Sequence, residues 1–339
     1  IQLLQLYYTP VLVTLGLLTN ALLLTIISTS PLWKRSTIHF IAAMSSADIL
    51  LLINLSLIWI NNMGIPIYTV GAMCHFTSFL GHMSNFLLPW YTVCLALDIC
   101  LHQCCFQTAR KICTIIKTKV LIIIVCVCSI AVFLNLSLLV SVVHIGNIPL
   151  CAPVNIFVPT LKLLDNIDVF LNRLLPYCLL ITLLIYYVPA SCCRKRLNSE
   201  THITSDTTEI HLQSVPEYEI VGDVGKTSCV VIILTLICNL PSVVLRSIHT
   251  INVLYYPLVP IDMSLLLWQQ ISEYGNYTRS CLLLFSVVLP SKIIKEHIIA
   301  LLKKCRKKAL LKKCRNQQRQ DESEPDNSPG LECDTAEQV

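Results

Sequence analysis

The chain has 339 residues, of which 55% are hydrophobic and 13% are charged, with a formal net charge of +5. This composition lies outside the range of soluble globular proteins and excludes a soluble fold class. A membrane-spanning helix needs about 20 consecutive, mostly apolar residues. Seven stretches satisfy this requirement, at about 3–28, 37–61, 74–102, 119–143, 167–189, 228–250 and 262–289.

The positive charges of the chain lie almost entirely on alternate loops. All but four of the 25 Lys and Arg residues occupy or border the loops after stretches one, three and five, or the tail after stretch seven. Such loops remain cytoplasmic, and anionic lipid headgroups attract them. The sequence therefore predicts an all-α bundle of seven transmembrane helices over residues 1–290, with its N-terminus outside the plasma membrane. Membrane lipids are expected partners of the basic residues, and nucleic acid is not.

Most of the 18 cysteines lie in predicted helices or on the cytoplasmic side, where disulfides rarely persist. Only Cys74, at the outer end of the third stretch, and Cys151, in the outer loop between the fourth and fifth, face an oxidising compartment. Two outward-facing cysteines permit one intramolecular bridge. The sequence therefore predicts a disulfide between Cys74 and Cys151, and the alternative is two free thiols.

The cytoplasmic segments differ in their patterns. Residues 198–225 lack apolar periodicity and are predicted to be disordered. Residues 291–315 alternate apolar and basic side chains at helical spacing, which indicates an amphipathic helix on the membrane surface. A nine-residue repeat within it places Cys305 and Cys314 at equivalent positions, so they are either palmitoylation sites or ordinary thiols in a local duplication. Residues 316–339 are predicted to form a disordered acidic tail.

Short motifs in the apolar stretches form a joint pattern. Asp48 is a carboxyl at membrane depth that needs a partner, and two prolines predict helix kinks or plain helix distortion. The full set is Asn20, Asp48, Cys74, Asp98, Pro176 and Pro241. Together with the seven helices and the surface helix, this pattern resembles the rhodopsin-like (class A) G-protein-coupled receptors. The resemblance implies an extracellular ligand and a heterotrimeric G protein or arrestin as the cytoplasmic partner.

The chain also departs from that family at residues that carry signalling. The family's Asp-Arg-Tyr motif reads Asp98-Ile99-Cys100 here, so the arginine that contacts the G protein is replaced. Asn239 stands in place of the sixth helix's tryptophan, and the Asn-Pro-x-x-Tyr motif is missing from the seventh. We therefore expect weak or absent G-protein activation, and an Asp98 carboxylate without its neighbouring counter-ion.

Several charged residues fall in the outer halves of the predicted helices. An unpaired charge there is costly unless it faces a water-filled cavity, and arginine suits carboxylates through its planar fork of donors. We expect a pocket for a polar or anionic group of a ligand such as a peptide, lined by His82, Arg173, Arg246, Glu273 and Tyr277. The alternative is that Arg246 and Glu273 only pair with each other. Gly81 lies where amine receptors carry an aspartate, which argues against an amine ligand.

The seventh stretch carries a candidate partner for Asp48. In the family a sodium ion commonly lies beside this aspartate. Alignment of the seventh helix through its junction with the surface helix places Arg279 on the inward-facing side at a similar depth. The sequence therefore predicts that Arg279 replaces the ion and pairs with Asp48.

The sequence favours a receptor over other functional classes. It contains no nucleophile–base pair or glycine-rich phosphate loop, and its histidines are scattered, so we predict no enzyme activity, no cofactor and no metal site. The main hypothesis is a cell-surface rhodopsin-like receptor with atypical signalling, and a decoy receptor that does not signal is a variant of it. A seven-helix transporter or channel is the alternative from another class, although the internal repeats typical of transporters are not evident.

Overall fold

The computed structural model describes residues 4–67, 70, 72–145, 148–153, 167–187, 215–255 and 263–321. The described chain is almost entirely helical. The helices are α1 Thr9–Thr29, α2 Ser36–Asn62, α3 Met73–Cys104, α4 Phe106–Ile112, α5 Ile115–Ser137, α6 Ile167–Tyr187, α7 Val215–Tyr255, α8 Met263–Val288 and α9 Lys292–Asp321. A π-helical turn, Leu4–Tyr8, precedes α1, and a 3-10 turn, Pro31–Lys34, precedes α2.

Among the described residues, six helices are long and apolar enough to cross a membrane. They are Gln5–Thr29, Ser36–Asn62, Met73–Cys104, Ile115–Ser137, Ile167–Tyr187 and Gly222–Asn252. The predicted all-α, multi-pass membrane fold is therefore confirmed for six of the seven stretches. The seventh stretch does form a helix, the 26-residue α8, but its Glu273, Arg279 and uncharged polar residues lower its apolar content below that of the other six.

Helix α8 is nevertheless an integral part of the bundle. It packs along α7 and against α1. At Gly275 the backbones of α8 and α7 approach so closely that an added Cβ would lie 2.2 Å from the Cys238 carbonyl oxygen. Small residues permit such close contacts between membrane helices. Polar side chains of α8 are therefore enclosed by its neighbours.

The core and the outer surface of the bundle are both apolar. Leu23, Leu52 and Leu95 are fully buried where the helices meet. On the outside, Leu18 and Ile237 are about two-thirds exposed. Such extensive apolar surface is unusual on a soluble protein and fits contact with lipid.

A β-hairpin lies between α5 and α6, where the sequence predicts only helix and loop. The predicted helix 119–143 is wrong at its end, because α5 stops at Ser137 and Val140–Ile145 form β1, which pairs antiparallel with β2, Ile148–Pro153. Valine and isoleucine recur along β1, and β-branched residues favour strands. The predicted Cys74–Cys151 disulfide is present and joins β2 to the start of α3.

Helix α7 begins well before the predicted start at residue 228. The prediction of disorder is wrong from Val215 onwards, whereas residues 198–214 lie outside the described part of the chain. Asp223 is buried and accepts hydrogen bonds from the Ser291 hydroxyl at 2.5 Å and the Lys292 backbone N–H at 3.0 Å. This carboxylate thus caps the N-terminus of α9, a tertiary contact that a local pattern does not reveal.

The predicted surface helix is present as α9, and it continues to Asp321 rather than ending at residue 315. Cys305 and Cys314 fall on this helix, but their side chains lie outside the described part of the structure, as does the predicted acidic tail from residue 322. Lipidation of the two cysteines stays a prediction.

Candidate functional site

A polar cavity of about 260 Å³ opens between α3, α6, α7 and α8. Its α3 residues follow Cys74 along that helix, so the cavity lies toward the disulfide end of the bundle. All five residues predicted to bind a ligand line it: His82, Arg173, Arg246, Glu273 and Tyr277. The structure therefore brings together side chains that are up to 195 positions apart in the chain.

Two arginines share one carboxylate in this cavity. Glu273 Oε1 lies 3.5 Å from Arg246 Nη1 and 3.8 Å from Arg173 Nη2. Arg173 also donates to the Ser242 hydroxyl at 3.1 Å. The pairing of Arg246 with Glu273 is thus present, but it does not use up the local positive charge, because the group of three carries a formal charge of +1.

A second carboxylate lies near the first turn of α6. Asp168 Oδ1 is 4.0 Å from His82 Nδ1 and accepts a hydrogen bond from the Asn172 amide. The cavity therefore presents an acidic residue beside His82 and a net positive group formed by Arg173, Arg246 and Glu273. A ligand with an anionic end and a polar body fits this distribution of charge.

The buried pair of Asp48 and Arg279 lies deeper in the bundle. Arg279 Nη2 donates to Asp48 Oδ1, and both side chains are at most 1% exposed. The Ser280 hydroxyl donates to the same oxygen at 2.6 Å, and Arg279 Nε donates to Asn276 Oδ1 at 3.3 Å. The predicted pairing is therefore present, and Arg279 also lines the cavity.

Two atoms of this pair are buried without a hydrogen-bond partner among the described residues, namely Asp48 Oδ2 and Arg279 Nη1. A buried polar atom without a partner is costly, and water molecules commonly satisfy such atoms. Of the two residues, Arg279 lines the cavity, so its guanidinium can donate a further hydrogen bond there.

Asn20 fixes the position of α8 beside this pair. Its amide donates to the Gly16 carbonyl at 2.8 Å and to the Ser280 carbonyl at 2.9 Å, and its oxygen accepts from Ser45 at 3.0 Å. These bonds join α1, α2 and α8. Ser45 and Ser280 were not identifiable from the sequence, because nothing in it distinguishes them from the other serines of α2 and α8.

The two predicted prolines have different surroundings. Pro176 follows a π-helical turn, Phe170–Leu174, within α6, whereas Pro241 lies inside the otherwise α-helical α7. Such π turns occur frequently at functional sites, and this one contains Arg173. Sequence reasoning missed Pro89 of α3, which also lines the cavity.

Two hydroxyl groups bond Asp98 at the inner end of α3. Its carboxylate is buried and accepts hydrogen bonds from Ser36 at 2.9 Å and Thr37 at 2.5 Å, both in the first turn of α2. These hydroxyls are neutral, so they satisfy the carboxylate without supplying the counter-ion that the sequence lacks at position 99. Ile99 is buried in the core, and the Cys100 thiol donates to the Leu183 carbonyl at 3.6 Å.

Comparison with known proteins adds no assignment to this geometry. No protein-family model matches the chain, and no curated protein matches it.

Proposed function

We propose that this chain is a divergent rhodopsin-like receptor that binds an extracellular ligand in the cavity between α3, α6, α7 and α8. The observation that carries the proposal is Glu273 held between Arg173 and Arg246 in a cavity near the disulfide end. Ligand sites are concave and contain a few well-placed polar groups. In this proposal α8 is the seventh spanning helix, and its polar residues face the cavity and the bundle rather than lipid.

The proposed orientation is supported by two chemical markers, the disulfide and the basic helix α9. Asp98 lies 24 residues beyond Cys74 along α3, which corresponds to about 36 Å at 1.5 Å per residue. The disulfide belongs to an oxidising compartment, and the basic helix α9 belongs on the cytoplasmic side. A plasma-membrane protein with an outside N-terminus and an outward-facing cavity satisfies both conditions.

The ligand class can be tested at Arg246. The probes are tagged short peptides with a free carboxyl terminus, each compared with its amidated twin, on intact cells. If Arg246 binds the carboxylate, Arg246→Gln weakens binding of the free-acid peptide by about tenfold or more and leaves surface expression unchanged. Arg246→Lys is the matched control, because it retains the charge but loses the planar fork. Equal losses of binding and surface expression in Arg246→Gln would identify the Arg246–Glu273 pair as structural.

The proposed receptor signals weakly through G proteins. Position 99, where the family carries the arginine that meets the G protein, is a buried isoleucine without charge. Asn239 of α7 stands where the family carries the tryptophan of its sixth transmembrane helix, which also favours weak G-protein activation. A decoy receptor that binds its ligand without signalling is therefore the second candidate function.

Restoring the arginine tests this view of signalling. We expect the unmodified chain to give little ligand-independent G-protein activation in cells. Ile99→Arg, alone and with Cys100→Tyr, is expected to raise it, because a guanidinium at position 99 can contact a G protein. Cys104→Ser, at an exposed cysteine of the same helix end, is the control. Robust activation by the unmodified chain would contradict the expectation.

A further inference from the structure

Three metal-binding side chains meet at the inner end of α3, away from the ligand cavity. The donor atoms of Asp98, His102 and Cys113 all lie within 4.8 Å of one another. Asp98 and His102 are four residues apart and so lie on one face of α3. Cys113 comes from the turn between α4 and α5, where its backbone N–H donates to the Ala109 carbonyl at 2.7 Å. The sequence predicts no metal site because its histidines are scattered, and a helix and a turn separate Cys113 from the other two residues in the chain.

The three side chains already interact through one carboxylate. His102 Nδ1 lies 3.8 Å from Asp98 Oδ2 and 2.7 Å from the Asp98 carbonyl oxygen. Cys113 Sγ lies within 4.8 Å of the donor atoms of both Asp98 and His102. A bound metal would replace the proton of the Cys113 thiol, as it does in thiolate sites generally.

A second layer of hydrogen bonds orients the carboxylate. Ser36 and Thr37 donate to Asp98 from the first turn of α2, at 2.9 Å and 2.5 Å. Outer hydrogen bonds of this kind hold metal ligands in position and strengthen binding. The carboxylate therefore needs little reorganisation to act as a ligand.

We propose that Asp98, His102 and Cys113 bind a divalent metal ion of the zinc class. Carboxylate, imidazole and thiolate together suit Zn²⁺, and sites with three protein ligands complete their coordination with water. On binding, the Cys113 thiol loses its proton to solvent. The His102 ring moves its proton from Nδ1 to Nε2 through solvent, and Nδ1 exchanges its contact with the Asp98 carbonyl for the metal.

The site lies far from the disulfide along α3, and in the proposed orientation this is the reducing side, where Cys113 stays a thiol. The ion would link the end of α3 to the turn before α5 and so stiffen the α4 segment. This inference does not require the chain to be a receptor.

Cobalt serves as a spectroscopic probe for the site. The purified full chain in detergent is titrated with Co²⁺, and the cobalt–thiolate charge-transfer absorption is followed, with Zn²⁺ added afterwards to displace the cobalt. We expect one tight equivalent with this absorption. Cys113→Ser is expected to remove the band and to lower the affinity by about tenfold or more, as losses around metal sites do.

Cys105→Ser is the matched control, because Cys105 is an exposed cysteine close by that lies outside the cluster. It is expected to leave the tight equivalent unchanged. His102→Gln provides a second variant that keeps the thiol, and it is expected to lower the affinity to a similar extent while a weaker thiolate band remains. Equal titrations of the unmodified chain and Cys113→Ser, or equal losses in Cys113→Ser and Cys105→Ser, would overturn the proposal. Melting temperatures measured in excess chelator establish that the variants compared are folded.

Discussion

Arg279→Ala is expected to remove most of the folded protein from the cell surface. The change leaves the Asp48 carboxylate, which is fully buried, without its cation. Breaking one half of a buried ion pair typically costs about 3–5 kcal/mol, which is a large part of the stability of an ordinary domain. Flow cytometry of an epitope-tagged chain, together with thermal unfolding of any purified protein, measures the effect.

The double variant separates a lost pair from a lost arginine. Adding Asp48→Asn removes the uncompensated charge while its amide oxygen can still accept from Ser280, so the double variant is expected to regain part of the surface expression. Thr278→Val is the control and is expected to express normally. Thr278 is next to Arg279 on α8, but its hydroxyl bonds to the Tyr274 carbonyl and to Tyr8. Normal expression of Arg279→Ala alone would show that the pair is not needed for folding.

Removal of the disulfide is the second large effect. Cys151→Ser is expected to lower stability by about 2–4 kcal/mol, because the bridge joins positions 77 residues apart and holds β2 at the start of α3. Cys74→Ser is expected to act equally, since either change breaks the same bond. A lower melting temperature in detergent, with reduced surface expression, measures the loss.

Reducing agent distinguishes the bridge from a local packing effect. It should lower the melting temperature of the unmodified chain to that of Cys151→Ser and leave that variant unchanged. Cys178→Ser, at an exposed free cysteine of α6, is the control and should remain sensitive to reduction. A melting temperature of the unmodified chain that does not respond to reduction would contradict a stabilising disulfide.

The apolar stretches and the spacing of a few residues were sufficient to predict much of this structure. Within a membrane the backbone polar groups must bond to one another, so a spanning segment is a helix. Six such helices could be predicted because each is a long apolar stretch of sequence. Cys74 and Cys151 could be identified as disulfide partners because only these two cysteines were predicted to face an oxidising compartment. The pairing of Arg279 with Asp48 could be predicted from the alignment of one helix. An isolated carboxyl in an apolar helix needs a partner, and few other residues could supply one.

The features that were missed depend on contacts between distant segments. Asp223, within the early part of helix α7, caps α9, and neither segment shows this contact by itself. The hairpin forms at a short apolar segment whose period is ambiguous between strand and helix. Ser36 and Thr37 bond Asp98 across 61 or more positions of sequence, so the absence of an arginine at position 99 could be read from the sequence while these hydrogen bonds could not.

A receptor's cavity receives a ligand from outside and does not conduct solute. Surface binding and uptake of the same tagged free-acid peptides, followed together on intact cells that express the chain, distinguish the two functions. We expect saturable surface binding that Arg246→Gln weakens by about tenfold, with no peptide uptake or ion current that depends on the chain. Uptake or current that appears with the unmodified chain, without saturable binding, would contradict the receptor proposal and favour a transporter or channel.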